Sequence, residues 1–287
     1  MANKVVPKFN YSGEFTTGAD ENYWYIYCKT TGDLSFIFPK EIDVTVVGGG
    51  GGGANRNGED GGGGGEGGAV TVKKGIDLAA NTDYRIVIGT GGTGGPKINY
   101  DGSTSGTKST AFGVTAAGGN RGSWRSGGKG AGNGGDGGTG GESSSSTNAT
   151  AGGIGVRAFS ESAYGYYGGG GGGGQRRNVA ATNNGGNGGG GNGGAGYEGN
   201  HSGGNATANT GGGGGGSGGE SDGTGGNGAN GIVIIRGSEQ DYVNAYFNGT
   251  RLTEVYYNGT KLTSWVHNGV KLFFERLRRT FGKAVMA

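Results

Sequence analysis

The chain has 287 residues, 80 of them glycine, with 30% apolar content and a formal charge of +2. So little apolar content excludes a large conventional core, and so small a net charge gives no footing for nucleic-acid binding or membrane association. Cys28 is the only cysteine, which excludes an intrachain disulfide, and the two histidines lie in different parts of the chain with no metal-ligand spacing.

Residues 1–47 read as β-structure. The opening MANKVVPKFN lacks the apolar run of a signal peptide, so synthesis in a cytoplasm without oxidative folding is expected, and no transmembrane span is predicted. Phe9–Phe15, the aromatic run Tyr23–Cys28, and Leu34–Phe38 have strand propensity. Ile42–Val47 alternates apolar and polar residues, so it should bury one face.

Glycine then dominates from Gly48 to Gly231, against about 7% in ordinary sequence. Low-complexity disorder is one reading of such composition. Collagen is excluded by three prolines and the lack of a sustained triplet repeat. The third reading is a bundle of polyglycine-II helices, extended helices of three residues per turn without internal hydrogen bonds. Their N–H and C=O groups must bond to neighbouring helices, and the missing side chains allow that approach. A rim helix then tolerates a side chain at every third position. Asn133-Gly-Gly-Asp136-Gly-Gly-Thr139-Gly-Gly-Glu142, Asn184-Gly-Gly-Asn187, Asn192-Gly-Gly-Ala195, Ser217-Gly-Gly-Glu220 and Thr224-Gly-Gly-Asn227 have this spacing. The unbroken runs Gly48–Gly53, Gly61–Gly65, Gly168–Gly174 and Gly211–Gly216 become interior helices. Within the block, Ala69–Val72, Tyr84–Ile88 and Thr110–Ala117 read as strands, with Lys73–Asp83 as a turn, and Gly231–Arg236 as a closing strand.

The predicted fold is therefore all-β. A small antiparallel, jelly-roll-like sandwich (strands in 1–47) carries a polyglycine-helix bundle with its closing strand (48–236), followed by a C-terminal segment (237–287). That last segment holds a ten-residue repeat with Asn248-Gly249, Asn258-Gly259 and Asn268-Gly269 at equivalent places, each a hairpin signal. Such hairpins are too small to stand alone, which suggests packing on the sandwich, on each other, or in a homo-oligomer, a trimer above all. Phe273, Leu277 and Phe281 form a stripe at i, i+4 and i+8 on a predicted short C-terminal helix. With Tyr256, Tyr257 and Trp265 they are candidates for docking or oligomerisation.

Catalytic chemistry is weakly represented. Gly102–Ser109 (GSTSGTKS) fails the phosphate-loop pattern. Glu59, Asp60 and Glu66 read as solvated loop acids or, less favourably, a cation site. No cofactor is expected. Recognition is better represented, in islands that interrupt the glycine: Arg121, Trp124 and Arg125; Phe159, Tyr164, Tyr166 and Tyr167; Arg176 and Arg177; Tyr197 and His201. Aromatic and arginine side chains suit sugar rings, carboxylates and partner surfaces. They equally suit caps on the bundle ends.

The succession Val46-Val47-(Gly)6, Gly67-Gly68-Ala69-Val70-Thr71-Val72, Tyr84-Arg85-Ile86-Val87-Ile88-Gly89-Thr90-Gly91-Gly92 and Gly231-Ile232-Val233-Ile234-Ile235-Arg236 resembles the glycine-rich domain of bacteriophage tail and virion proteins. Similar blocks occur in bacterial surface proteins. A polyglycine bundle is also similar to the distal adhesins of some tailed phages and to a region of certain animal receptor kinases. The resemblance covers about residues 42–236 and implies a non-enzymatic virion protein. Its expected partners are other virion proteins and a host-cell surface glycan or protein. A decoration or joining protein without a receptor, and a bacterial-surface or ice-binding module, are the alternatives.

Overall fold

A computed structural model describes residues 6–56, 58–97, 102–128, 132–135, 137, 148–160, 165–219 and 223–238, and the backbone of short strands between 246 and 273. The fold is all-β. Its strands are β1 (Phe9–Tyr11), β2 (Phe15–Ala19), β3 (Trp24–Cys28), β4 (Gly32–Phe36), β5 (Lys40–Val47), β6 (Val70–Leu78), β7 (Tyr84–Ile86), β8 (Ser109–Ala111), β9 (Val114–Ala116), β10 (Val156–Arg157), β11 (Tyr166–Tyr167) and β12 (Ile232–Gly237). A five-stranded antiparallel sheet, β2-β3-β12-β5-β6, faces a second layer, β1-β4-β7, which the Val87–Thr110 bridge extends to the β8-β9 hairpin. Alternate residues of the two layers meet in the core: Trp24, Ile26 and Cys28 of β3, Val44 and Val46 of β5, and Val233 and Ile235 of β12, against Leu34, Phe36 and Ile86. The opposite face of the larger sheet is covered too. Val47, Ile232 and Ile234 pack there against Ala158 and Phe159, from the excursion that joins β10 to β11. This double coverage explains why β12 reads as an unbroken apolar run rather than an alternating one.

Two expected elements differ. Lys73–Asp83 is not one turn, because β6 runs on to Leu78. Its polar residues are tolerated at an exposed edge. A bulge at Gly75 (φ +65) shifts the register against β5, and Gly75 N donates to Asp43 Oδ1 at 3.1 Å. Thr110–Ala117 is a hairpin instead of one strand, turned by Phe112 and Gly113, both at positive φ, as a type I′ turn requires.

The glycine block is an ordered lattice. Helix 48–54 donates at every third residue to one neighbour: Gly48, Gly51 and Ala54 to Ala69, Glu66 and Gly63. Gly49 and Gly52 donate to Thr107 and Thr104, and Gly50 and Gly53 to Ala229 and Gly226. Its carbonyls accept on the other three sides, from Gly119 and Gly122, from Gly92 and Gly95, and from Gly214 and Ser217. One helix thus has six neighbours, and its backbone groups are paired without a side chain. Helices 61–69, 168–175 and 211–219 repeat this arrangement, and these interior helices contain the unbroken glycine runs. A Cβ added at Gly50, Gly65, Gly171 or Gly214 would overlap a neighbour's carbonyl oxygen.

Around the interior run the rim segments 89–95, 103–109, 117–123, 126–128, 133–135, 149–155, 183–187, 189–196, 201–206 and 223–231. Two residues of each rim triplet face neighbours and the third faces out, which produces the Gly-Gly-x spacing. The outward residue also has a chemical task. Where two rim helices meet, its side-chain oxygen takes an amide that no carbonyl reaches. Asn230 Oδ1 accepts from Gly91 N at 2.9 Å, Asn227 Oδ1 from Gly94 N at 2.8 Å, and Asn192 Oδ1 from Gly185 N at 2.9 Å. Thr104 and Thr107 Oγ1 accept from Thr93 N and Thr90 N, each at 2.8 Å. Asn, Thr and Ser at these positions follow from the lattice.

The molecule has two poles. β5 enters the bundle at Gly48, and β12 leaves it after Gly231 and runs back to Gly237, opposite Trp24. Phe9 lies opposite Phe36, just before β5 begins. Chain entry and exit therefore share the pole remote from the bundle. Beyond Gly237, each of the three repeats forms an antiparallel strand pair: β13 (Tyr246–Phe247) with β14 (Thr250–Arg251), β15 (Tyr256–Tyr257) with β16 (Thr260–Lys261), and β17 (Ser264–His267) with β18 (Val270–Phe273). The Asn-Gly residues between them lie outside the described residues. Phe273 ends a strand where the sequence suggests the start of a helix. Leu277 and Phe281 lie outside the described residues.

Candidate functional site

Because every helix starts or ends near the sandwich, the opposite end of the bundle is made of the loops that join them. Residues 55–56, 58–60, 96–97, 102, 123–126, 175–182, 196–201, 219 and 223 lie there. Trp124, Arg125, Arg176, Arg177, Tyr197 and His201 are gathered at this tip, with Arg121 one helical turn below on the rim. Tyr166 and Tyr167 are not: they form β11, half-buried at the sandwich end, where Arg157 lies over the Tyr166 ring at 4.6 Å. Phe159 is 0% exposed in the second core cluster, so its role is packing. Its ring covers the guanidinium of Arg236 at 4.1 Å, Tyr23 lies over the same group at 4.1 Å, and Asp43 pairs with it at 3.0 Å. Tyr164 lies outside the described residues. Tyr256, Tyr257, Trp265 and Phe273 fall in the C-terminal hairpin strands.

The tip is built around the loop 55–60. Asp60, 5% exposed, accepts from Arg125 Nε at 3.2 Å and Nη2 at 2.7 Å through the same Oδ2, and Arg56 Nη2 lies 3.9 Å from that oxygen. Both guanidiniums stack on Trp124, with Arg56 Cζ 4.2 Å and Arg125 Cζ 4.8 Å from the ring centroid. The indole is 47% exposed and its backbone bridges to Gly62, so the lattice fixes its position. Arg125 holds φ +61, a left-handed conformation uncommon for a long side chain. On the other side of the loop, Arg177 N donates to Glu59 O at 2.8 Å. Next to it, Arg176 Nε is buried without a hydrogen-bond partner. Tyr197 is 49% exposed, and His201 Nδ1 donates to Ala195 O at 2.9 Å, which ties the 196–201 turn to its helix.

Glu59, Asp60 and Glu66 do not form a cluster. No group of three metal-binding side chains occurs among the described residues. Nor are Asp60 and Glu66 solvated. Asp60 is held by arginine, and Glu66, buried in an interior helix, accepts from Asn120 N at 3.0 Å. Arg56, now central to the tip, carries no signal in the sequence. Its neighbours are Asn55 and Asn57, and only the fold brings it to Trp124.

A family described as a glycine-rich domain matches residues 29–238. The match takes in the bundle and most of the sandwich, but begins just after β3, the strand that pairs with both β2 and β12. No curated protein matches the chain.

Proposed function

The chain belongs to the glycine-rich domain family over residues 29–238. We propose that it is a structural protein of a bacteriophage virion, a tail or fibre component that binds the host-cell surface. One observation carries the reading: aromatic and arginine-bearing loops converge on the end of a rigid lattice opposite the pole where the chain enters and leaves. Binding loops set on a rigid scaffold can be held in a fixed geometry at little entropic cost. The pole where the chain enters and leaves meets other virion proteins, while the tip meets a surface glycan or protein.

The test is competition. Recombinant protein is added to susceptible bacteria before phage, and the adsorption rate is followed. A dose-dependent fall, together with direct binding of labelled protein to the same cells, is the expected result. Protein that is incorporated into particles but neither binds cells nor slows adsorption would instead mark a joining or decoration protein.

A further inference from the structure

We infer that the tip takes an acidic saccharide, with Trp124 as the platform for the sugar and the flanking guanidiniums as the reader of its carboxylate or phosphate. The inference rests on the surface-binding reading above and names the chemistry of its ligand. Three features support it. The first is the indole, large, apolar and 47% exposed, on a turn that the lattice immobilises. With two guanidiniums stacked on it, the part of the ring left exposed is what meets the C–H edge of a pyranose. The second is the pair Arg56 and Arg125, stacked on that indole at 4.2 and 4.8 Å. Stacking holds each planar fork in one orientation, and such forks match carboxylate and phosphate oxygens two at a time. The third is Asp60, nearly buried, which accepts from both Nε and Nη2 of Arg125 and so sets the angle of its fork. Asp60 is therefore a positioning residue. The left-handed φ of Arg125 has the same effect, since strain of this kind persists where the surroundings over-determine it.

Binding is measured by titration calorimetry on the full chain with three probes: a uronic-acid oligosaccharide, a phosphate-bearing glycan, and a neutral dextran of similar length. An acidic probe should bind with an affinity that falls as salt rises, and dextran at least tenfold more weakly. Trp124→Ala and Arg125→Gln should each weaken the acidic probe at least tenfold. Asp60→Asn should weaken it less and reduce its selectivity over dextran, a change that mere loosening of the loop would not produce. Melting curves identical to the parent establish that the variants are folded. If one were unfolded, Arg56→Gln and Trp124→Phe replace it. Which acidic probe binds distinguishes a carboxylate source from a phosphate source. Equal binding of dextran, or unchanged affinity in the Trp124 and Arg125 variants, overturns the inference. The same variants in the adsorption assay keep the two readings apart: cell binding that survives Trp124→Ala sinks this site alone, whereas parent protein that never binds cells sinks the function on which it rests.

Discussion

At the scale of single residues, burial sets the chemistry of one group and hydrogen bonding that of another. Cys28 is fully enclosed in the sandwich core, and that burial pushes its thiol up to about 12, with the Tyr11 hydroxyl opposing slightly. The raised value means that the contribution of the neutral thiol is complete below its ordinary value of 9.0 and is lost as pH climbs toward 12. A thiol-alkylating reagent at pH 8 should leave the native protein unmodified and label it in denaturant, as mass spectrometry would read. Asp20 behaves in the opposite sense. Burial alone would raise its carboxyl, but hydrogen bonds from Tyr25 Oη at 2.6 Å and from Tyr23 N and Asn22 N at 2.7 Å, with Arg236 beyond, hold it below 3.8. A lowered carboxyl contributes stability above its unfolded value and loses it as pH falls through the folded one. Asp20→Asn should therefore flatten the decline of the urea midpoint below about pH 4.

At the scale of elements, the glycine helix is defined by what it excludes. Gly214→Ala places a methyl onto Gly226 O in the interior and should cost at least about 2 kcal/mol, because backbone on every side prevents relaxation. Gly165→Ala, with nothing within 4 Å of the added carbon, should stay within about 0.5 kcal/mol of the parent. Chemical denaturation of both variants measures the contrast. This element was legible in the sequence, since unbroken glycine marks the interior and Gly-Gly-x most of the rim. Ser217, expected at the rim, is instead fully buried in interior helix 211–219, where its hydroxyl donates to Asn55 Oδ1 at 3.0 Å, and Ala195 is buried as well. The pairing of the C-terminal strands was legible from a local pattern too, an Asn-Gly signal standing between the two runs of each pair. Lys73–Leu78 was not, because an edge strand with one bulge has the composition of a turn. Phe159 was misplaced because an aromatic within glycine has the same local sequence whether it faces solvent or plugs the back of a sheet. The pairing of Arg56 with Trp124 joins residues 68 positions apart, and no local pattern announces it.

At the scale of the whole molecule, sandwich and bundle share their strands. β5 passes into helix 48–54, helix 61–69 into β6, and helix 223–231 into β12. The two should unfold together. Trp24 fluorescence from the core and far-ultraviolet dichroism from the glycine helices should lose signal in one coincident transition, and Gly214→Ala should shift both equally. Two separated transitions would contradict this continuity. The heat-capacity change should fall below the usual 12–15 cal/mol/K per residue or so, because unfolding the bundle exposes mostly peptide groups. Calorimetry reads that value directly.

The three-residue repeat also limits how such a gene can change. Each helical residue sits about 120° around the axis from the next. Inserting or deleting one codon within a helix turns every later outward side chain into a neighbour's backbone and breaks the register of all its bonds. A change of three codons restores the orientation and only lengthens the rod by one turn. Length variation inside the helices should therefore come in multiples of nine nucleotides, while the codons of the tip loops are free of that count, and natural diversification should concentrate there.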